Sequence, residues 1–120
     1  MNDKKIEFLE TYLSLYIGHQ EVLEDAAADS PYVIIDVRNA PNQVKKEQIK
    51  GAKAIAAKDL ASSLDKLDKD KIYVVYDWTA GTTLGKQALL ILLTNGFKAY
   101  ELSCALEGWK GMNLPMEEIK

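Results

Sequence analysis

Apolar positions along this chain fall into two kinds of run. Residues 32–35 (Tyr-Val-Ile-Ile) and 72–76 (Ile-Tyr-Val-Val-Tyr) are apolar without a break, and each run stops at an acid, Asp36 and Asp77. Unbroken β-branched and aromatic residues suit a strand covered on both faces, as in a parallel sheet. Residues 99–102 read as another strand, residues 49–55 as a turn into a short one, and residues 17–19 as a brief edge strand or turn. Between them the spacing is helical. Residues 4–16 place Ile6, Leu9, Leu13 and Tyr16 on one stripe with Phe8 and Tyr12 alongside, an amphipathic helix expected to pack on the core rather than on a partner. Val22, Leu23, Ala26 and Ala27 mark a helix over 20–28, closed by Asp29-Ser30-Pro31. Lys58 or Asp59 opens a helix carrying Leu60, Leu64 and Leu67, and the charged run 65–71 reads as a solvated connection. The strongest helix, with its apolar run at 88–93, starts near Thr82 or Thr83 and stops at Asn95-Gly96; a last short one carries Leu106 and Trp109 and ends at Gly111. Strands alternating with helices predict an α/β domain with a mainly parallel sheet.

The junction at 72–87 organises the rest. A strand of a parallel sheet delivers its last residue to the sheet's carboxyl edge, the usual ligand side of such domains. Here it ends in Asp77, and the loop Asp77, Trp78, Thr79, Ala80, Gly81, Thr82 and Thr83 launches a helix. Backbone N–H groups and the positive end of a helix dipole meet there, so the loop is a candidate anion cradle.

Composition narrows the field. With 120 residues, 48% of them hydrophobic, the chain is one domain able to fold alone. A net charge of -3 with lysines scattered among acids excludes a concentrated phosphate-binding face, so no nucleic-acid partner is expected. The N-terminus is charged, without a secretion signal, and the run at 88–93 is far short of the ~20 residues that span a bilayer. No membrane partner and a cytoplasmic location follow as expectations. A single cysteine, Cys104, can form no internal disulfide and no cysteine-rich metal site. No metal or cofactor is expected.

The segments IIDVR at 34–38, QIKGAKAI at 48–55, VVYDW at 74–78, NGFKAYEL at 95–102 and LEGWKGMNLP at 106–115 occur in an order and spacing that resemble the single-domain rhodaneses over residues 17–116. That resemblance implies a five-stranded, mainly parallel sheet flanked by helices on both faces, occupying residues 17–120, with residues 1–16 as an extra N-terminal helix. Active rhodaneses have a cysteine after the VVY-type strand, which carries sulfur as a persulfide. Here the matching position is Asp77, and the later loop positions Thr82 and Thr83 lack the basic residue many active members use to hold an anion. Cys104 matches a position usually held by a small residue, not the nucleophile. Asp36 and Arg38 match a phrase that is mainly architectural, and Trp109 matches a core position.

The chemistry of the exchange is direct. A carboxylate is a weak nucleophile toward sulfur and cannot become a persulfide. Its charge would instead fill the cradle, with loop N–H groups making charge-assisted hydrogen bonds to it. The leading expectation is a domain inactive in sulfur transfer that binds a protein partner or a small anion, in a binding or regulatory role. Two rivals stand beside it: an enzyme, as a sulfurtransferase or as an Asp77-dependent hydrolase of a small anionic substrate, and an interaction module that recruits a partner or forms a homodimer through the N-terminal helix. The hydrolase would need further acids holding Mg²⁺, and the loop supplies none. His19 reads as a turn or first-turn residue rather than a general base, and Cys104 as a small buried residue. Trp78 is placed at the loop mouth, and of Thr79, Thr82 and Thr83 at least one is expected to cap the following helix.

Overall fold

Both unbroken apolar runs are strands, and they lie side by side at the centre of a parallel sheet. The structure, a computed structural model, describes residues 2–24 and 30–119. Its elements in chain order are α1 (Asp3–Ser14), β1 (Tyr16–Ile17), α2 (His19–Glu24), β2 (Tyr32–Asp36), α3 (Asn42–Lys45), β3 (Glu47–Ile49), β4 (Lys53–Ala54), α4 (Ala57–Leu60), β5 (Ile72–Tyr76), α5 (Leu84–Thr94), β6 (Lys98–Leu102), α6 (Ala105–Gly111) and β7 (Met116–Glu118). The main sheet has five strands in the order β1-β6-β5-β2-β4, every pair parallel.

The absence of alternation in β5 has a simple cause: both faces are covered. Tyr73 and Val75 join Ile35, Val37, Leu60, Ala88, Leu89 and Leu92 in one core, under α4 and α5. Val74 and Tyr76 join Ile17, Val22, Leu102, Leu106 and Trp109 in the other, under α2 and α6. Helix α5 turns Ala88, Leu89 and Leu92 inward and ends where expected. Gly96, at φ 82°, takes the left-handed position, with Gly96 N–H on Leu93 O and Phe97 N–H on Leu92 O.

Several expectations are corrected. The helix predicted from Lys58 or Asp59 through Leu67 is one turn, α4, followed by a separate 3-10 turn at Leu64–Lys66; Ser62 and Ser63 bond the Asp59 carbonyl and stop the helix. The tail forms β7, antiparallel to β3 in a small second sheet that the pattern did not suggest. Of the helix read over 20–28, α2 covers the first part; residues 25–28 and the stop at Asp29 lie outside the described residues. The largest correction is α1. The helix forms, N-capped by Asn2, yet none of its residues is buried, so its apolar stripe does not pack on this domain's core. Ile6 is 42%, Phe8 64%, Leu9 54% and Leu13 69% exposed.

Beneath the sheet's carboxyl edge Arg38, wholly buried, bonds Asp36 through Nε and Nη2 and spends the rest of Nη2 on the Glu47 carbonyl, tying β3 to β2. Arg38→Met strands a buried carboxylate and is expected to cost about 3–5 kcal/mol. In urea unfolding, Asp36→Asn combined with Arg38→Met should cost clearly less than the two single losses added; simple additivity would show that the pair is not coupled.

Candidate functional site

The carboxyl edge of the sheet carries two polar centres, one at the end of β2 and one at the end of β5. Register places Asp36 beside Tyr76, so the residue after Tyr76 projects beyond the edge next to the Asp36–Arg38 pair. In the first centre Asp36 Oδ2 accepts from Arg38 Nη2 at 2.6 Å and from the Tyr76 hydroxyl at 2.9 Å, and that hydroxyl accepts the Ile49 N–H at 3.1 Å. Burial, then the neighbouring Asp36 charge, push the Tyr76 hydroxyl well above its ordinary range. Burial opposes the charge of Arg38, but the bonds to Asp36 outweigh it and the net shift is upward. Trp78 lays its ring on this guanidinium, 4.4 Å from Cζ to the ring centroid, and among the described residues Arg38 Nη1 has no hydrogen-bond partner.

The second centre is Asp77, 1% exposed. Its Oδ1 accepts the Trp78 N–H at 2.7 Å; its Oδ2 accepts the Thr82 hydroxyl and, at 3.3 Å, the Gly85 N–H in the first turn of α5. The threonines therefore do not cap α5 as expected. Thr83 occupies the cap position without a side-chain capping bond, and Thr82 turns to the acid and to Thr79 O. The carboxylate caps the helix from the strand below. The loop is held from the other side by α6. Ala105, at φ 56°, adopts a left-handed conformation and the next two N–H groups reach the loop, Leu106 N–H on Asp77 O and Glu107 N–H on Trp78 O, both at 3.1 Å.

Glu101 was not picked out from the sequence. It is 2% exposed in β6, and its Oε1 pairs with Lys86 Nζ at 3.3 Å. A Cβ at position 85 would clash with Glu101 Oε2 and lie in ordinary contact, 3.6 Å, with Asp77 Cβ, so the missing side chain makes room for Glu101. Burial, against the pull of Lys86 and with the push of Asp77, raises the Glu101 carboxyl above its usual range. Lys86 also lies 5.7 Å above the Tyr16 ring, and the Tyr16 hydroxyl donates to that of Tyr12 at 3.0 Å, so the centre runs out to α1. An acid inside the strand pattern Lys98–Leu102 was the available signal, since a charge in a covered strand demands a partner.

The other candidates stand apart. Cys104 precedes α6, half-buried against the second core, and burial raises its thiol, which disfavours a reactive thiolate. His19 is the first residue of α2, and Trp109 is buried with its indole N–H on Pro115 O. Ala80 and Gly81 form the exposed tip of the loop, where Lys86 Nζ donates to Ala80 O at 3.1 Å. Among the described residues no group of three or more His, Cys, Asp or Glu is placed to hold a metal ion, and no helix is long and apolar enough to cross a membrane.

Comparison with known proteins accords with this architecture. The family profile of the rhodanese-like domain matches residues 19–112. A crystal structure of a full-length protein from Lactobacillus plantarum is 68% identical, with 99% of this chain and 100% of that one covered at a TM-score of 0.96. The rhodanese-like domain of the Alr3790 protein from Anabaena sp. is 27% identical, with 88% of this chain and 80% of that one covered at 0.71. A rhodanese-like domain protein from Staphylococcus aureus, 21% identical, shares the fold over 78% of this chain and 89% of its own at 0.67. No curated protein matches. The chain belongs to the rhodanese-like domain family.

Two measurements probe the second centre. Asp77→Asn removes the charge but keeps the shape, and is expected to cost on the order of 1–3 kcal/mol; its melting temperature should then rise with added sulfate while the wild type is indifferent. An unchanged melting temperature with no sulfate response would contradict a self-filled loop. For Glu101 the sign is the opposite of the common carboxylate case. A folded-state pKa above the ordinary 4.5 means that the folded form binds the proton more tightly, so Glu101's contribution is fullest below that pH and is lost as pH rises through the raised value. Glu101→Gln should therefore flatten the fall in melting temperature as pH rises above 4.5; an identical profile for both proteins would refute the assignment.

Proposed function

We propose that this is a rhodanese-like domain that does not carry sulfur, because Asp77 occupies the position at which active members have their persulfide-forming cysteine. It serves instead as a cytoplasmic binding or regulatory domain. The observation that carries this reading is the burial of the Asp77 carboxylate at the end of β5, with the Trp78 and Gly85 N–H groups and the Thr82 hydroxyl directed at it. Donors that would hold a sulfur-bound anion are taken up by the protein's own charge. A carboxylate oxygen offers neither the polarizability nor the S–S bond that sulfur transfer requires.

Two rivals are weaker on the same geometry. Cys104 does not supply the missing thiol: it sits ahead of α6, and burial raises its pKa. A phosphoryl-accepting Asp77 would need a divalent cation beside it, and the neighbouring Glu101 carboxylate is already paired with the Lys86 ammonium. An aspartate with 1% exposure, held on both oxygens, is also poorly placed for in-line attack.

The test is a thiosulfate-to-cyanide transfer assay on the full chain. No turnover above background is expected; turnover that survives Cys104→Ser would overturn the proposal. Asp77→Cys should restore some persulfide, read as the mass gain of one sulfur atom. Adding Glu101→Gln should increase the yield, because a carboxylate beside the new thiol disfavours its thiolate.

A further inference from the structure

The unburied helix α1 carries a pattern that its own domain leaves unused. Twelve residues give a rod about 18 Å long, and helices of that length are marginal in water without a packed face. Its polar positions point to a particular cover. Set out as a heptad, Ile6 and Leu13 fall at a, Leu9 at d, Lys5 and Tyr12 at g, Asp3 and Glu10 at e. An isoleucine at a with a leucine at d is the combination that favours two strands. In a parallel pair, the g residue of one helix faces the following e residue of the other, so Lys5 of each copy meets Glu10 of its mate, twice by symmetry. In an antiparallel pair e faces e, and Asp3 would oppose Glu10, like against like.

The fold permits the parallel arrangement. Strand β1, which follows α1 directly, is the outermost strand of the sheet, so the helix leaves from an edge and two domains can lie on opposite sides of a shared axis. The molecule measures 52 Å along its longest axis against 33 and 30 Å across, as a projecting rod requires.

We propose that α1 is a self-association surface whose occupant is α1 of a second copy of this chain, paired in parallel with Lys5 against Glu10 of its mate. Sedimentation velocity on the full chain over a concentration series should show a mass that moves from one chain toward two. Lys5→Glu should weaken the association by about tenfold, since both symmetric pairs become repulsive, and Lys5→Glu with Glu10→Lys should restore it. The substituted side chains are exposed, so circular dichroism should report an unchanged fold. In a Cys104→Ser background, Ile6→Cys should cross-link to itself under mild oxidation, as only parallel alignment brings the two sixth residues together. A single-chain mass at every concentration, a dimer indifferent to Lys5→Glu, or failure of the double exchange to restore pairing would overturn the proposal. So would association seen only with a different protein.

Discussion

Putting charge where a parallel sheet excludes water is the constraint that the carboxyl edge of this molecule is built to satisfy. Asp36, Asp77 and Glu101 are each 2% exposed or less, at or near the ends of three neighbouring strands. An isolated carboxylate in such a place would be driven to take a proton. Each is answered differently. Asp36 has a guanidinium held on two nitrogens and a tyrosine hydroxyl; Asp77 has two backbone donors and a threonine; Glu101 has the ammonium of Lys86, on a side chain 39% exposed. The Lys86 side chain reaches solvent, and burial raises the proton affinity of Glu101.

These solutions draw in most of the surrounding structure. The loop after β5 is shaped less by its own turn residues than by the acid at its start. Thr82 bends back to Asp77, α5 begins over the same carboxylate, and α6 is tipped so that its first N–H groups meet the loop's carbonyls. That last contact rests on a left-handed alanine, a conformation which costs roughly 1–2 kcal/mol in an L-residue. Strain of that kind persists where neighbouring contacts fix the backbone, and here two hydrogen bonds do so.

What the sequence made legible follows from how local each signal was. The covered strands, the strong helix with its Asn95-Gly96 stop, and the strand-end position of Asp77 were all written in runs of adjacent residues. So was the resemblance that pointed to the parallel sheet. The surroundings of Asp77 were legible only in part: the loop donors were, the second acid was not. Gly85 and Thr82 come from its own helix start, but Glu101 arrives from β6 through strand pairing. The small sheet of β3 and β7 was invisible because Met116–Glu118 has no strand-like composition and pairs with a segment far away in the chain. Helix α1 shows the converse failure: an apolar stripe states that something covers a helix, and its spacing alone does not say whether the cover is the same molecule.

The acid pair is also specified more tightly than burial alone would demand. A glycine inside a helix costs about 1 kcal/mol relative to alanine, and α5 carries Gly85 in its first turn, where any Cβ would fall against Glu101 Oε2. The helix thus forgoes propensity at the one residue where the β6 acid needs room. The N–H of the same residue reaches Asp77. Gly85 thus meets both acids, Glu101 through the space its missing side chain leaves and Asp77 through its N–H, so the chemistry of this edge belongs to the pair together with Lys86. A neutral residue at 101 would leave Lys86 without its buried partner and Gly85 without its reason; a side chain at 85 would displace the Glu101 carboxylate. Glu101 is therefore as much a part of this site as the aspartate that marks it in the sequence.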